Sequence, residues 1–226
     1  GKAGLSNPES VFRRYPHTMS GGQRQRVMIA MALCCHPSIL LADEPTTALD
    51  VTTQAQILEL MQDIQRETSC GIILITHNLG VVARMAERVA VMYAGQMVEK
   101  GRLQDIFYHP KHPYTWGLLG SMPDMQERAD SRLTAIPGSP PDLFAPPKGC
   151  GFAARCPYCM ELCLERDPGE YTVGEGHTAR CWLLHPAAAA CRPVPPAGRD
   201  PELVTPEVKG YIEEYLAKGG GAADGE

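Results

Sequence analysis

The sequence lacks any apolar run that approaches the roughly 18–20 residues of a membrane-spanning helix. It also lacks an excess of positive charge, because its 226 residues carry a formal net charge of −5. A weakly acidic chain presents no broad positive field, so nucleic acid is not expected as a partner. If the protein works at a membrane, we expect it to dock there through a partner protein.

The local pattern predicts strands that alternate with helices. Apolar periodicity and capping residues predict helices at 20–35, 52–68, 78–87, 103–108 and 114–121. Short apolar runs predict strands at 39–42, 71–76, 89–92 and 97–99. This order predicts an α/β fold with a parallel sheet flanked by helices, in which the first two strands are buried on both faces.

A small glycine-rich turn opens the first of these helices and consists of Ser20, Gly21, Gly22 and Gln23. A helix N-terminus offers N–H donors and partial positive charge, which suit a phosphate group. The two glycines let the backbone approach an anion closely. The alternative is a plain helix cap with a flexible entry.

Polar side chains follow two of the apolar strands. Asp43 suits Mg²⁺ held through its water shell, and Glu44 suits a general base that acts on an attacking water. His77 ends the next strand, and the carboxyl ends of parallel strands share one edge, so we expect it beside Glu44. Asp50 begins the following helix, where it is either a nucleotide contact or only the N-cap.

Residues 8–100 resemble the second half of an ABC-transporter ATPase domain. The matching segments are residues 20–23 for the signature motif, 39–44 for the Walker B strand with its glutamate, 47–50 for the D-loop, and His77 for the switch histidine. The resemblance implies ATP and Mg²⁺ as cofactors. It also implies that residues 20–23 act on ATP bound to the opposite subunit, whereas Asp43, Glu44 and His77 act on their own subunit's site.

The phosphate-cradling Gly-x-x-x-x-Gly-Lys-Ser/Thr loop of that family does not occur in the sequence. The family's Q-loop glutamine and adenine-stacking aromatic are also absent upstream of Ser20. We therefore expect an N-terminally truncated sequence that alone binds ATP weakly and hydrolyses little or none of it. The alternative is a non-hydrolysing module that binds only a metal and partners.

Residues 103–185 resemble the C-terminal extension of ATP-binding subunits from dipeptide, oligopeptide and nickel importers. Turn motifs that carry this resemblance begin at His112, Ile136 and Arg155. The predicted domains are residues 1–102 for the partial ATPase, 103–185 for the extension, and 186–226 for a Pro-rich linker, a short helix at 207–218 and a disordered tail. A DNA-repair or cohesion-type ATPase is disfavoured, because no long coiled coil, paired zinc knuckle or basic surface is seen.

The resemblance implies an energy-coupling subunit that drives a membrane transporter. Its implied partners are a second ATP-binding subunit, identical or different, and the transmembrane permease subunits. A periplasmic or extracellular substrate-binding protein is an indirect partner. The implied location is peripheral, at the cytoplasmic face of the plasma (inner) membrane.

The sequence has nine cysteines, which is many for its length. Cys34, Cys35 and Cys70 lie in apolar segments and are predicted to be small core residues. In the importer subgroup, the spacing of four further cysteines implies a 4Fe–4S cluster held by Cys150, Cys156, Cys163 and Cys181.

Zinc is the alternative metal, and the Cys156-x-x-Cys159 pair supports it. His177 and His185 are further candidate zinc ligands, although a solvent-exposed position is the default expectation for both. Disulfides and unliganded thiols are the remaining alternatives, and a reducing cytosol disfavours the disulfides.

Overall fold

The computed structural model describes residues 3–5, 7–121 and 136–191. The chain divides into two compact units, Gly1–Met85 and Ala86–Glu226. Among the described residues, no helix has both the length and the apolar character that crossing a membrane requires.

The first unit alternates helices with two strands. Its elements are α1 (Pro8–Phe12), a 3₁₀ turn (Pro16–Thr18), α2 (Gly21–Leu33), β1 (Ile39–Asp43), α3 (Val51–Thr68), β2 (Gly71–Ile75) and α4 (Leu79–Met85). The predicted helices and strands of this unit are confirmed, with small shifts at their ends. The predicted α/β fold class is confirmed as well.

The two strands of this unit pair in parallel. Ile39 lies opposite Gly71, and Asp43 lies opposite Ile75. Because the register is level, the chain leaves both strands at the same edge of the sheet. The segments that follow β1 and β2 therefore start side by side.

The core of the first unit lies on one side of β1 and β2. α3 places a row of aliphatic side chains on one helix face, and α2 contributes Ile29. α3 ends at Ser69, whose left-handed backbone (φ 53°) lets its N–H donate to the Gln65 carbonyl at 2.9 Å. The buried cluster comprises Ile29, Ala42, Ile57, Leu60, Met61 and Ile64.

The prediction that both strands are buried on two faces is wrong for the described residues. Leu40 and Ala42 are buried, but Ile39 and Leu41 on the other face of β1 are 59% and 67% exposed. In β2, Ile73 and Ile75 are each 51% exposed. The reason is that the helices of this unit pack against one face of the strand pair.

Only one of the three cysteines predicted as core residues in the first unit is buried. Cys70 is buried, as predicted, but Cys34 and Cys35 are exposed. Both follow the last residue of α2, beyond the stretch of that helix that packs on the core. The Cys34 thiol donates to the Ala30 carbonyl (3.2 Å), which satisfies it within its own helix end.

The second unit contains an antiparallel sheet with short helices. Its elements are β3 (Arg88–Tyr93), β4 (Gln96–Arg102), α5 (Leu103–Tyr108), α6 (Pro113–Gly120), a 3₁₀ turn (Ala153–Arg155), α7 (Glu161–Glu165), β5 (Tyr171–Gly174), β6 (His177–Ala179) and 3₁₀ turns at Trp182–Leu184 and Pro186–Cys191. The strand order is β3-β4-β6-β5. The strands predicted at 89–92 and 97–99 and both predicted short helices are confirmed, and the two strands pair as a hairpin.

The cysteine-rich segment contains regular structure. It contains α7 and the β5–β6 hairpin, and β6 pairs with β4 through Glu99 and Ala179. The predicted domain boundary at residue 102 stays a prediction, whereas the boundary between the compact units falls between Met85 and Ala86. The predicted helix at 207–218 lies outside the described residues.

A buried carboxylate joins three parts of the second unit. The Glu99 side chain accepts the N–H groups of Lys111 (2.7 Å) and His112 (2.9 Å), and it pairs with Nε2 of His177 at 2.8 Å. Glu99 and His177 are both buried. A buried charge is tolerated when it is paired and hydrogen-bonded, so this network fixes β4, β6 and the α5–α6 connection together.

Next to this network, His112 begins α6 as a neutral side chain. Burial lowers the pKa of His112 to about 4. Its Nδ1 accordingly accepts the N–H of Tyr114 (3.0 Å), which caps the helix.

We expect the Glu99→Ala variant to lose about 3–5 kcal/mol of unfolding free energy, because it leaves His177 and two backbone N–H groups unpaired in the interior. The loss of unfolding free energy is measured by urea denaturation, from the transition in which the second unit unfolds. The matched control is Glu170→Ala, which removes an exposed pair with Lys100 (3.0 Å) and should cost far less, because solvent screens exposed pairs. Equal losses in the two variants would contradict the role given to Glu99.

Candidate functional site

The N-terminus of α2 is closed by a reciprocal pair of side-chain hydrogen bonds. The Ser20 hydroxyl accepts the Gln23 N–H (3.2 Å), and the Gln23 side-chain oxygen accepts the Ser20 N–H (3.2 Å). This capping box confirms the predicted helix start. The amides of Gly21 and Gly22 lie between these two residues, in the positively polarised first turn.

The two glycines also serve packing, which the sequence reasoning missed. A Cβ added at Gly22 would lie 2.6 Å from the Thr53 methyl group, and one at Gly21 would lie 3.1 Å from a methyl group of Leu49. The start of α2 therefore approaches the start of α3 closely. This contact joins the predicted signature turn to the residues of the predicted D-loop.

Asp43, Glu44 and His77 lie at the edge where β1 and β2 end. Asp43 is the exposed last residue of β1, and the Glu44 N–H donates to the Ile75 carbonyl at 2.9 Å. Glu44 has a left-handed backbone with a φ of 46°, which turns the chain sharply after the strand.

The structure brings Glu44 and His77 into direct contact, as the parallel strands predict. Oε1 of Glu44 accepts the His77 backbone N–H (3.2 Å) and lies 2.6 Å from Nδ1 of the His77 ring. The catalytic roles predicted for the two residues stay predictions.

Thr47 is a third member of this site that sequence reasoning missed. Its hydroxyl donates to Oε2 of Glu44 at 2.9 Å. The hydrogen bonds from His77, and then from Thr47, lower the pKa of Glu44. The signal in the sequence is the spacing, because a hydroxyl residue three positions after a carboxylate can reach back to it across a turn.

Asp50 is the N-cap of α3, which was one of its two predicted roles. Its carboxylate accepts the Thr53 N–H (2.9 Å) and the Thr53 hydroxyl (2.7 Å). These two bonds from Thr53 lower the pKa of Asp50. A contact with nucleotide remains a prediction for this residue.

The four cysteines predicted as cluster ligands line one small cavity of the second unit. Cys150, Cys156, Cys163 and Cys181 share it with the aromatic rings of Phe152 and Trp182. Phe152 packs edge-on against Tyr93 (5.2 Å between ring centroids), which anchors the loop between Cys150 and Cys156.

The cavity disfavours thiolates unless a cation is present. Burial raises the pKa of Cys156 and of Cys181 to about 12, and the neighbouring cysteines add to both shifts. Among the described side chains, every cysteine is a free thiol. No group of three or more His, Cys, Asp or Glu residues in the described part of the chain is arranged around a single metal ion.

Two secondary zinc candidates are positioned differently from each other. His177 is buried rather than exposed, contrary to the sequence expectation, and its Nε2 is engaged by Glu99. His185 is exposed, and its Nδ1 accepts the Ala187 N–H at 3.1 Å. Neither histidine lines the cavity that the four cysteines share.

Comparisons with known proteins match both parts of the chain. The family model described as "ABC transporter" matches residues 2–47. The model described as "Oligopeptide/dipeptide transporter, C-terminal region" matches residues 98–163. Both segments of the chain are therefore similar to proteins of ABC transporters. The first match contains residues 20–23 with Asp43 and Glu44, and the second contains Cys150, Cys156 and Cys163.

Curated proteins are similar to most of this chain. The oligopeptide transport ATP-binding protein OppD of Bacillus subtilis is 57% identical over 190 residues, which cover 84% of this chain and 53% of OppD. The dipeptide transport ATP-binding protein DppD of the same organism is 59% identical over 180 residues, covering 80% and 53%. DppD of Lactococcus lactis is 52% identical over 192 residues, covering 85% and 55%. The chain spans about half the length of these relatives.

We expect Gly22→Ala to lower the unfolding free energy by about 1–3 kcal/mol, because its methyl group would overlap that of Thr53. The Thr53→Ser change removes this methyl group and keeps the hydroxyl that bonds Asp50. A double-mutant cycle by thermal unfolding should therefore show a smaller cost of Gly22→Ala in the Thr53→Ser background. An unchanged cost would mean that the close approach of α2 to α3 is not its cause.

Proposed function

We propose that this chain is part of the ATP-binding and ATP-hydrolysing subunit of an ABC importer for dipeptides or oligopeptides. The observation that carries the proposal is the contact of Glu44 with His77 at the edge where β1 and β2 end. The relatives' printed names, oligopeptide and dipeptide transport ATP-binding proteins, support peptides as the cargo. Nickel is the alternative cargo that the sequence resemblance left open.

Glu44 acts as the general base in this proposal. Because hydrogen bonds lower its pKa, the carboxylate is ionised at neutral pH and can accept a proton from an attacking water. His77 uses Nδ1 for Glu44, and its side chain is 82% exposed. Its Nε2 is therefore available to contact a γ-phosphate oxygen.

The Asp43 carboxylate, exposed at the end of β1, fits Mg²⁺, which prefers few carboxylates and retains water ligands. When bound with ATP, Mg²⁺ neutralises negative charge on the phosphate oxygens. In this proposal Asp43 orients the ion's water shell, and Glu44 beside it stays free for proton transfer.

The start of α2 acts on a second subunit's nucleotide. Ser20, Gly21, Gly22 and Gln23 offer N–H groups and a hydroxyl at a positively polarised helix end, which suits a γ-phosphate. The required partners are a second ATP-binding subunit, identical or different, and the permease subunits, with a substrate-binding protein acting through them. The proposed location is the cytoplasmic face of the plasma membrane.

For the longest gene product that contains these residues, assembled with its permease, we expect Glu44→Gln to retain ATP binding and to abolish turnover. The amide keeps the shape of the side chain but accepts no proton from water. Phosphate release and nucleotide binding are measured separately. Glu59→Gln, the same change at an exposed position of α3, should retain turnover.

Retained hydrolysis in Glu44→Gln would remove this residue from the proposed role. An assembled parent protein that neither binds nor hydrolyses ATP would instead favour the non-hydrolysing module. Uptake of labelled dipeptide against labelled nickel by the same assembly distinguishes the two cargoes.

We also propose that Cys150, Cys156, Cys163 and Cys181 hold a 4Fe–4S cluster. The four thiols share one cavity, and a cation would relieve the unfavourable charging of buried, adjacent sulfurs. Zinc, which four sulfurs would hold at about 2.3 Å, is the alternative metal.

We expect anaerobically purified protein to contain iron and acid-labile sulfide and to absorb in the visible region. Cys181→Ser should lose both signals, because it removes one of the four ligands. The matched control Cys34→Ser changes an exposed thiol of the first unit and should leave them intact. Stoichiometric zinc without iron would show that the four cysteines form a zinc site and not an iron–sulfur site. The absence of both metals would refute the metal proposal.

A further inference from the structure

The carboxylate of Glu44 is held at both oxygens by two different segments. Oε1 faces His77, which follows β2, through the backbone N–H and Nδ1. Oε2 accepts the hydroxyl of Thr47 at 2.9 Å, from the turn that follows β1. An ionised carboxylate has about four lone-pair sites, two on each oxygen.

These contacts determine which oxygen of Glu44 can accept a hydrogen bond from a water molecule. The two bonds from His77 use both sites on Oε1, and the bond from Thr47 uses one site on Oε2. The site that these bonds leave is on Oε2, next to the Thr47 hydroxyl. A water that donates a proton to Glu44 therefore binds Oε2, beside the Thr47 hydroxyl.

The backbone holds Thr47 in this position. Glu44 has a left-handed φ of 46°, and the Thr47 N–H donates to the Glu44 carbonyl at 3.1 Å. Pro45 and Thr46, between them, are buried. The turn is thus fixed at its ends and in its middle, while the exposed Thr47 directs its hydroxyl back to the carboxylate.

We propose that Thr47 is a positioning residue for ATP hydrolysis, whose hydroxyl orients Oε2 of Glu44 toward the attacking water. The proposal rests on the hydrolytic function proposed above. Thr47 acts through Glu44, so its loss should slow the chemical step and leave nucleotide affinity unchanged.

The Thr47→Val variant tests the hydroxyl while keeping the shape of the side chain. In the assembled transporter, we expect kcat to fall about tenfold to a hundredfold, as for a misplaced catalytic group, with an unchanged KM for ATP. Thr47→Ser keeps the hydroxyl and should restore kcat.

The control is Thr172→Val, the same change at an exposed position of β5, which should leave kcat and KM unchanged. Thermal unfolding of each variant shows whether it folds. A folded Thr47→Val protein with the parental kcat would overturn the proposal, as would a Thr47→Ser protein as slow as Thr47→Val. The proposed function itself fails if the parent protein does not hydrolyse ATP or if the Glu44→Gln variant still hydrolyses it. Both results differ from the two outcomes that would overturn only the role of Thr47.

Discussion

The level, parallel pairing of β1 with β2 is the constraint on which the candidate site depends. It places the ends of both strands at one edge, so that residues distant in sequence start from neighbouring points. Glu44 and His77 meet there, and the sharp turn at Glu44 adds Thr47 to the same carboxylate. A one-residue slip in this pairing would separate the two groups, so the apolar core behind the strands also sets the geometry of the polar edge.

In the second unit, a buried hydrogen-bonded pair of side chains, rather than a parallel register, holds distant segments together. Glu99 connects β4 to β6 and to the start of α6, and β6 leads directly to Cys181. The cysteine loop is fixed from its other side by Phe152 against Tyr93. The four thiols therefore come from segments that are each anchored elsewhere in the unit.

Much of this arrangement could be predicted from the sequence because its determinants are local. Periodicity, the cap at Ser20 and the apolar runs fix the elements, and strand ends then bring Glu44 and His77 together. The three-residue spacing allows Thr47 to contact Glu44 but does not determine the contact, since the turn also has a left-handed φ at Glu44 that non-glycine residues rarely adopt. The Glu99–His177 pair spans 78 positions along the chain, and no local pattern reports such a distant contact.

The uncovered face of β1 and β2 has a consequence for the behaviour of the chain in solution. Ile39, Leu41, Ile73 and Ile75 form a contiguous aliphatic surface on two short strands that are rich in β-forming residues. Within the described residues, each strand also has one edge without a neighbouring strand. A strand of another molecule can pair with such an open edge. At high concentration, this polypeptide is therefore expected to self-associate through this sheet.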